Sequence, residues 1–172
     1  MADKIEIGNE KGDNRYRALN LPAKAGNVTI SGDAVERTEI CFSGNITLKS
    51  NVQFEDISLT PVKLSGKVLS ETKANLAIGN YTLVLDNVIM ESEAGDSLVG
   101  NITGSSKTGT LNVRGTSDAE GYQWKATGIS GLKEVNLIDN VQLDVAGNFN
   151  VYQIRFTASA ADRVAKLNTT GT

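Results

Sequence analysis

The chain has 172 residues, 40% hydrophobic and 22% charged, a composition that folds as one domain and rules out a disordered chain. A net charge of −3 argues against electrostatic binding to nucleic acid, and the absence of histidine excludes Ser-His-Asp triads, Cys-His pairs and histidine-ligated metals. The single Cys41 forbids an internal disulfide, and no apolar run approaches the ~20 residues of a membrane-inserted helix.

Residues 1–20 are polar and charged, with only Ile5 and Ile7 alternating, and read as a leader or capping strand. Short alternating runs then follow closely: Val28–Ile30, Glu39–Phe42, Asn45–Leu48, Val52–Leu59, Val62–Leu64 and Lys67–Leu69. The series continues through Leu76–Ile78, Tyr81–Met90, Leu98–Ile102 and Thr110–Val113. Tyr122–Ala126, Glu134–Ile138, Val141–Val145 and Asn148–Thr157 complete it, giving one β domain over 21–158. Fifteen threonines with valine and isoleucine suit a pleated surface, while sixteen asparagines and seventeen glycines suit tight corners. The class is all-β. Over 159–172 the pattern changes: Ser159-Ala160-Ala161-Asp162 before Val164, Ala165 and Leu167 predicts a short C-terminal helix or tail.

A repeat organises the strands. Gly-Asn-apolar-Thr occurs at Gly26–Thr29, Gly44–Thr47, Gly79–Thr82 and Gly100–Thr103, at steps of 18, 35 and 21 residues. A second pattern ends a strand in Ser-Asn or Asp-Asn and restarts it at valine, placing corners at Asn51, Asn87 and Asn140. A unit of 18–21 residues cannot bury its own apolar face, but stacked units share one core. Stacking would align Asn27, Asn45, Asn51, Asn80, Asn87, Asn101 and Asn140 as structural turns and ladders. Asn27, Asn45, Asn80, Asn101 and Asn168 are also Asn-x-Thr sequons, which the repeat accounts for without a glycan.

On these strand starts and corners the chain resembles the right-handed parallel β-helix proteins, the architecture of pectate-lyase-like enzymes, bacterial surface adhesins and phage tailspikes. The resemblance implies a parallel β-solenoid; the alternative fold is an antiparallel β-sandwich, for which the repeat gives no reason. It also implies a non-catalytic surface or secreted scaffold of bacterial type, adhesin-like or carbohydrate-binding, with a glycan or host protein as partner. An extracellular chain carries the expectation of a signal already removed ahead of Met1. The open ends of a solenoid carry the expectation of an oligomer.

The alternative function is a polysaccharide lyase or hydrolase acting on acidic glycans. Such enzymes hold calcium on aspartates or use close carboxylate pairs, and this chain lacks both histidine and an Asn-Thr-Asp or Asp-Asp motif. Glu91, Glu93 and Asp96 form its densest acidic cluster and are the candidate calcium ligands; Asp139 with Asp144 is a second carboxylate pair. For sugar binding the candidate is Tyr122-Gln123-Trp124-Lys125, where strand geometry puts Tyr122 and Trp124 on one side and Gln123 and Lys125 on the other. The competing reading makes both rings core, because aromatics are only 5% of the chain. Tyr152, Ile154 and Phe156 form a similar stripe, read as core, with Arg155 on the outward side.

Overall fold

A computed structural model describes residues 19–23, 26–33, 38–65, 68–92, 94–115 and 122–171. The first strands are β1 (Asn27–Ser31), β2 (Thr38–Ser43), β3 (Ile46–Thr47), β4 (Asn51–Glu55) and β5 (Ile57–Ser65). Next come β6 (Val68–Glu71), β7 (Ala74–Gly79), β8 (Thr82–Asp86), β9 (Val99–Gly104) and β10 (Gly109–Gly115). The last are β11 (Tyr122–Ala126), β12 (Gly128–Asp139), β13 (Val141–Val145), β14 (Phe149–Thr157) and β15 (Ala165–Thr169). No helix occurs among the described residues.

One nine-stranded sheet dominates, running β1-β4-β8-β10-β12 and then back through β9, β7 and β3, with β14 added on β12. All its pairings are parallel. β12 belongs to both arms: Gly128–Ser130 pairs with β9, and Leu132 to Asp139 pairs with β10. Gly131 sits at the break with φ of 71°, and a Cβ there would lie 2.8 Å from the Gly104 carbonyl oxygen. Only glycine fits that bend. Two three-stranded sheets, β11-β13-β15 and β2-β5-β6, complete the fold.

Strand parity decides what is buried. Val28, Val52, Leu83, Leu111 and Val135 stand in register along one inward row, and Ile30, Phe54, Leu85, Val113 and Leu137 along the next. All ten are buried, each worth roughly 1.5–3 kcal/mol of apolar transfer. At the end of these strands the chain turns sharply at Asp56, Asn87 and Asp139, with φ of 55°, 56° and 61°. These short polar side chains tolerate the left-handed conformation and bond across the stack: the Asn87 amide donates to the Asp56 carboxylate.

The expected right-handed parallel β-helix with coils of about 18–21 residues is corrected by this architecture. The sheet doubles back through β12, and β5 pairs with β6 antiparallel. Along the row from Val28 the partners Val52, Leu83, Leu111, Val135 and Ile154 follow at steps of 24, 31, 28, 24 and 19 residues, not 18–21. The repeat misled because its copies start strands in different arms: Asn27 opens β1, whereas Asn45 precedes β3 and Asn101 lies within β9. Corner positions shift as well. Asn87 is left-handed as expected, but the neighbouring corners are Asp56 and Asp139, while Asn51 begins β4 and Asn140 follows Asp139.

The C-terminal helix is also corrected. Ser159 donates its N–H to the Asp139 carboxylate at 2.7 Å, and Arg163 N–H closes a turn on the Ala160 carbonyl at 3.2 Å. The donors a helix start would have used are spent on this corner, and the chain leaves it as β15 beside β13. The β unit therefore extends past 158. Of the expected leader, residues 1–18 lie outside the described residues, and Leu19 is buried with Leu21 in the core.

Candidate functional site

The outward side of β1, β4 and β8 carries adjacent rows of polar side chains. Register places Asn27 beside Asn51, Thr29 beside Gln53 with Val84 on the far side of Gln53, and Ser31 beside Glu55 with Asp86 on the far side of Glu55. Neighbouring parallel strands are ~4.8 Å apart, so each row repeats its side chains at that interval. The Asn51 side-chain amide donates to the Asn27 side-chain oxygen at 3.2 Å, and its own oxygen accepts from the Thr82 backbone N–H at 2.9 Å. Donor and acceptor of Asn51 are thus both fixed, which locks the rotamer and the orientation of the amide.

A groove of about 310 Å³ opens over this region, lined by Asn27, Thr29, Asn51, Val52, Gln53, Thr82 and Val84. Among the described residues, the Gln53 amide and the Thr29 hydroxyl have no hydrogen-bond partner, and both face the groove. Gln53 stands between Thr29 and Val84, and Val84 supplies an apolar contact. The lining is amide, hydroxyl and hydrocarbon, with no charged side chain. Further along the same face Asn136 donates to Asn112 at 2.7 Å, and Arg155 pairs with Glu134.

Beside the groove, Glu55, Asp86 and Arg114 continue the outermost row. Asp86 is buried, its Oδ2 lies 3.5 Å from Arg114, and its Oδ1 has no partner among the described residues. Burial raises the Asp86 pKa, assisted by Glu55 and Asp56 and opposed by Arg114. Asp139 moves the other way: hydrogen bonds from Ser159, and Arg163 at 3.6 Å, hold its carboxyl below the usual range.

No family model, curated protein or solved structure matches the chain. The functional reading therefore rests on the residues alone.

The expected sugar platform fails at its centre. Trp124 is 5% exposed and packs in the core opposite Leu143, so its ring offers no face to a ligand. Lys125 is exposed, and its carbonyl accepts from the Ser97 hydroxyl; the side chains of Tyr122 and Gln123 lie outside the described residues. Of the expected calcium ligands, Glu93 lies outside the described residues. Glu91 and Asp96 are exposed on a tight turn in which Asp96 N–H donates to the Ser92 hydroxyl at 3.0 Å. Among the described residues no three carboxylates or thiols come together as a metal site. Asp144 is engaged by Asn168 at 2.8 Å and Gln142 at 3.1 Å.

The asparagine ladder forms in two pieces. Asn27 and Asn51 make one; in the other, Asn45 oxygen accepts from Asn75 N–H at 2.9 Å and Asn75 oxygen from Asn101 N–H at 2.8 Å. Asn80 sits exposed in a turn, and Asn140 oxygen accepts from Val164 N–H at 3.1 Å. Sequence reasoning passed over Asn75, Thr29, Gln53 and Thr82 as groove or ladder residues. Their signal was outward parity between buried neighbours, but parity names the face and not which strands lie side by side.

Proposed function

We propose that the chain is a non-catalytic binding scaffold of the cell surface or secreted space, adhesin-like in role, that takes a carbohydrate strand in the β1–β4–β8 groove. One observation carries this: two adjacent rows of groove side chains, in which Asn27 and Asn51 are held by hydrogen bonds while the Thr29 hydroxyl and the Gln53 amide are left for a ligand beside an apolar contact at Val84. Sugars present hydroxyls that donate and accept together with apolar C–H faces, and fixed amides match both kinds of polar group. Rigid placement lowers the entropy lost on binding. The non-catalytic reading is supported by the chemistry of the lining, since amides and hydroxyls do not exchange protons usefully near neutral pH.

A glycan array with and without calcium, run on the wild-type chain and on Gln53→Ala, tests the proposal. Binding to one glycan class that weakens at least tenfold in Gln53→Ala, without calcium dependence, is the expected result. Silence across the array, or wild-type binding by Gln53→Ala, overturns the assignment of this groove.

A further inference from the structure

The two ends of the stacked sheet are finished differently. At one end, among the described residues, β1 pairs only with β4, yet its inward residues Val28 and Ile30 are buried, and Leu19 and Leu21 join the same core. Pro22 is tied in place by the Ser50 hydroxyl at 2.9 Å. At the other end the same two rows finish at Ile154 and Phe156 of β14. There Ile154 is half-buried and Phe156 is 52% exposed. Val151 and Leu167 are likewise only partly covered, and Tyr152 is 71% exposed, its ring 5.9 Å from the Lys107 amine. Among the described residues, β14 and β15 each pair on one side only, with β12 and β13. This end therefore presents an apolar interior rimmed by two unpaired strand edges, the combination that invites another chain.

We propose that this end is the interface of a tail-to-tail homodimer, closed by the same face of a second copy. The occupant follows from the contrast between the ends. A head-to-tail contact would have to use the β1 end, where the chain already covers its own core, so the self-complementary arrangement remains and closes at two copies. Size is consistent with it. The nine residues of β14 and five of β15, at ~3.3 Å each, make a rim about 45 Å long. With a width of ~10 Å the rim alone covers on the order of 450 Å² per copy, and the apolar interior it encloses adds to this. About 1,200 Å² in total is the lower bound of stable, specific interfaces.

Sedimentation velocity over a range of concentrations reads the state directly. The wild-type chain is expected to reach twice its 18.3 kDa mass and stop there. Phe156→Lys, which sets two like charges against each other across the two-fold, is expected to raise the dissociation constant at least tenfold while keeping the β circular dichroism. Hydrogen exchange on the unaltered chain supplies a readout that needs no variant: amides of β14 and β15 slow as concentration rises, and those of β1 do not. A monomer at every concentration, an open-ended series of larger species, or protection gained at β1 overturns the proposal.

Discussion

Asn87 donates its side-chain amide to the carboxylate of Asp56, thirty-one residues away in the chain, and both residues hold left-handed backbone. Each thus performs two jobs at once, turning its own strand and joining its corner to the next. The backbone share of this device can be separated from the hydrogen-bond share. Asn87→Gly keeps the turn and loses the bond, at a cost of ~1–2 kcal/mol. Asn87→Ala loses both, and ~1 kcal/mol more is expected from the left-handed strain. Urea denaturation of the two variants checks the order; equal losses would show that the backbone conformation contributes nothing.

Gly131 sets the junction between the two arms of the main sheet. Gly131→Ala introduces a Cβ at 2.8 Å from a backbone oxygen at a φ of 71°. A loss of at least ~2 kcal/mol is expected, because neither the strand nor its neighbour at Gly104 has room to give. A melt within a degree or two of wild type would mean that β12 does not serve both arms.

The buried carboxylates make acid stability depend on pH in opposite senses. The lowered pKa of Asp139 stabilises the fold above its ordinary value of 3.8, and that contribution is lost as pH falls through the folded-state pKa. The raised pKa of Asp86 has the reverse effect: its neutral form is favoured in the fold, so stability declines as pH climbs from 3.8 through the folded-state pKa. Asp139→Asn is therefore expected to melt lower than wild type at pH 7, with the gap closing in acid. Asp86→Asn is expected to melt at or above wild type at pH 7, since the amide ends the cost of a buried, partly unpaired charge. Melting curves from pH 3 to pH 7 decide both.

Trp124 gives a simple optical check on the core. At 5% exposure its emission is expected to be blue-shifted and to resist iodide, and glycan binding in the β1–β4–β8 groove is expected to leave it unchanged. Red, easily quenched emission would return the ligand to β11.

The fold was legible to the depth that local patterning reaches. Alternation located Val28–Ile30, Val141–Val145 and Asn148–Thr157 almost to the residue, because parity is set by neighbours along one strand. Which strands pair is a non-local matter, and there the repeat of Gly-Asn-apolar-Thr suggested coils of about 18–21 residues that the doubled-back sheet does not follow. Ser159–Asp162 read as a helix start because a cap motif shows its own donors and not Asp139 twenty residues earlier, which claims one of them. The groove was hidden for the same reason. Thr29, Gln53 and Val84 are ordinary outward residues until three strands are laid side by side.

The proposed contact between a glycan and the amides of the β1–β4–β8 face can be read from side-chain NH₂ resonances. Titrating an isotope-labelled chain with the glycan selected by the array is expected to move the NH₂ signals of Gln53 and Asn51 together, leaving the Trp124 indole N–H in place. Shifts confined to β11, or none at Gln53 under saturating ligand, would show that the ligand does not bind in this groove.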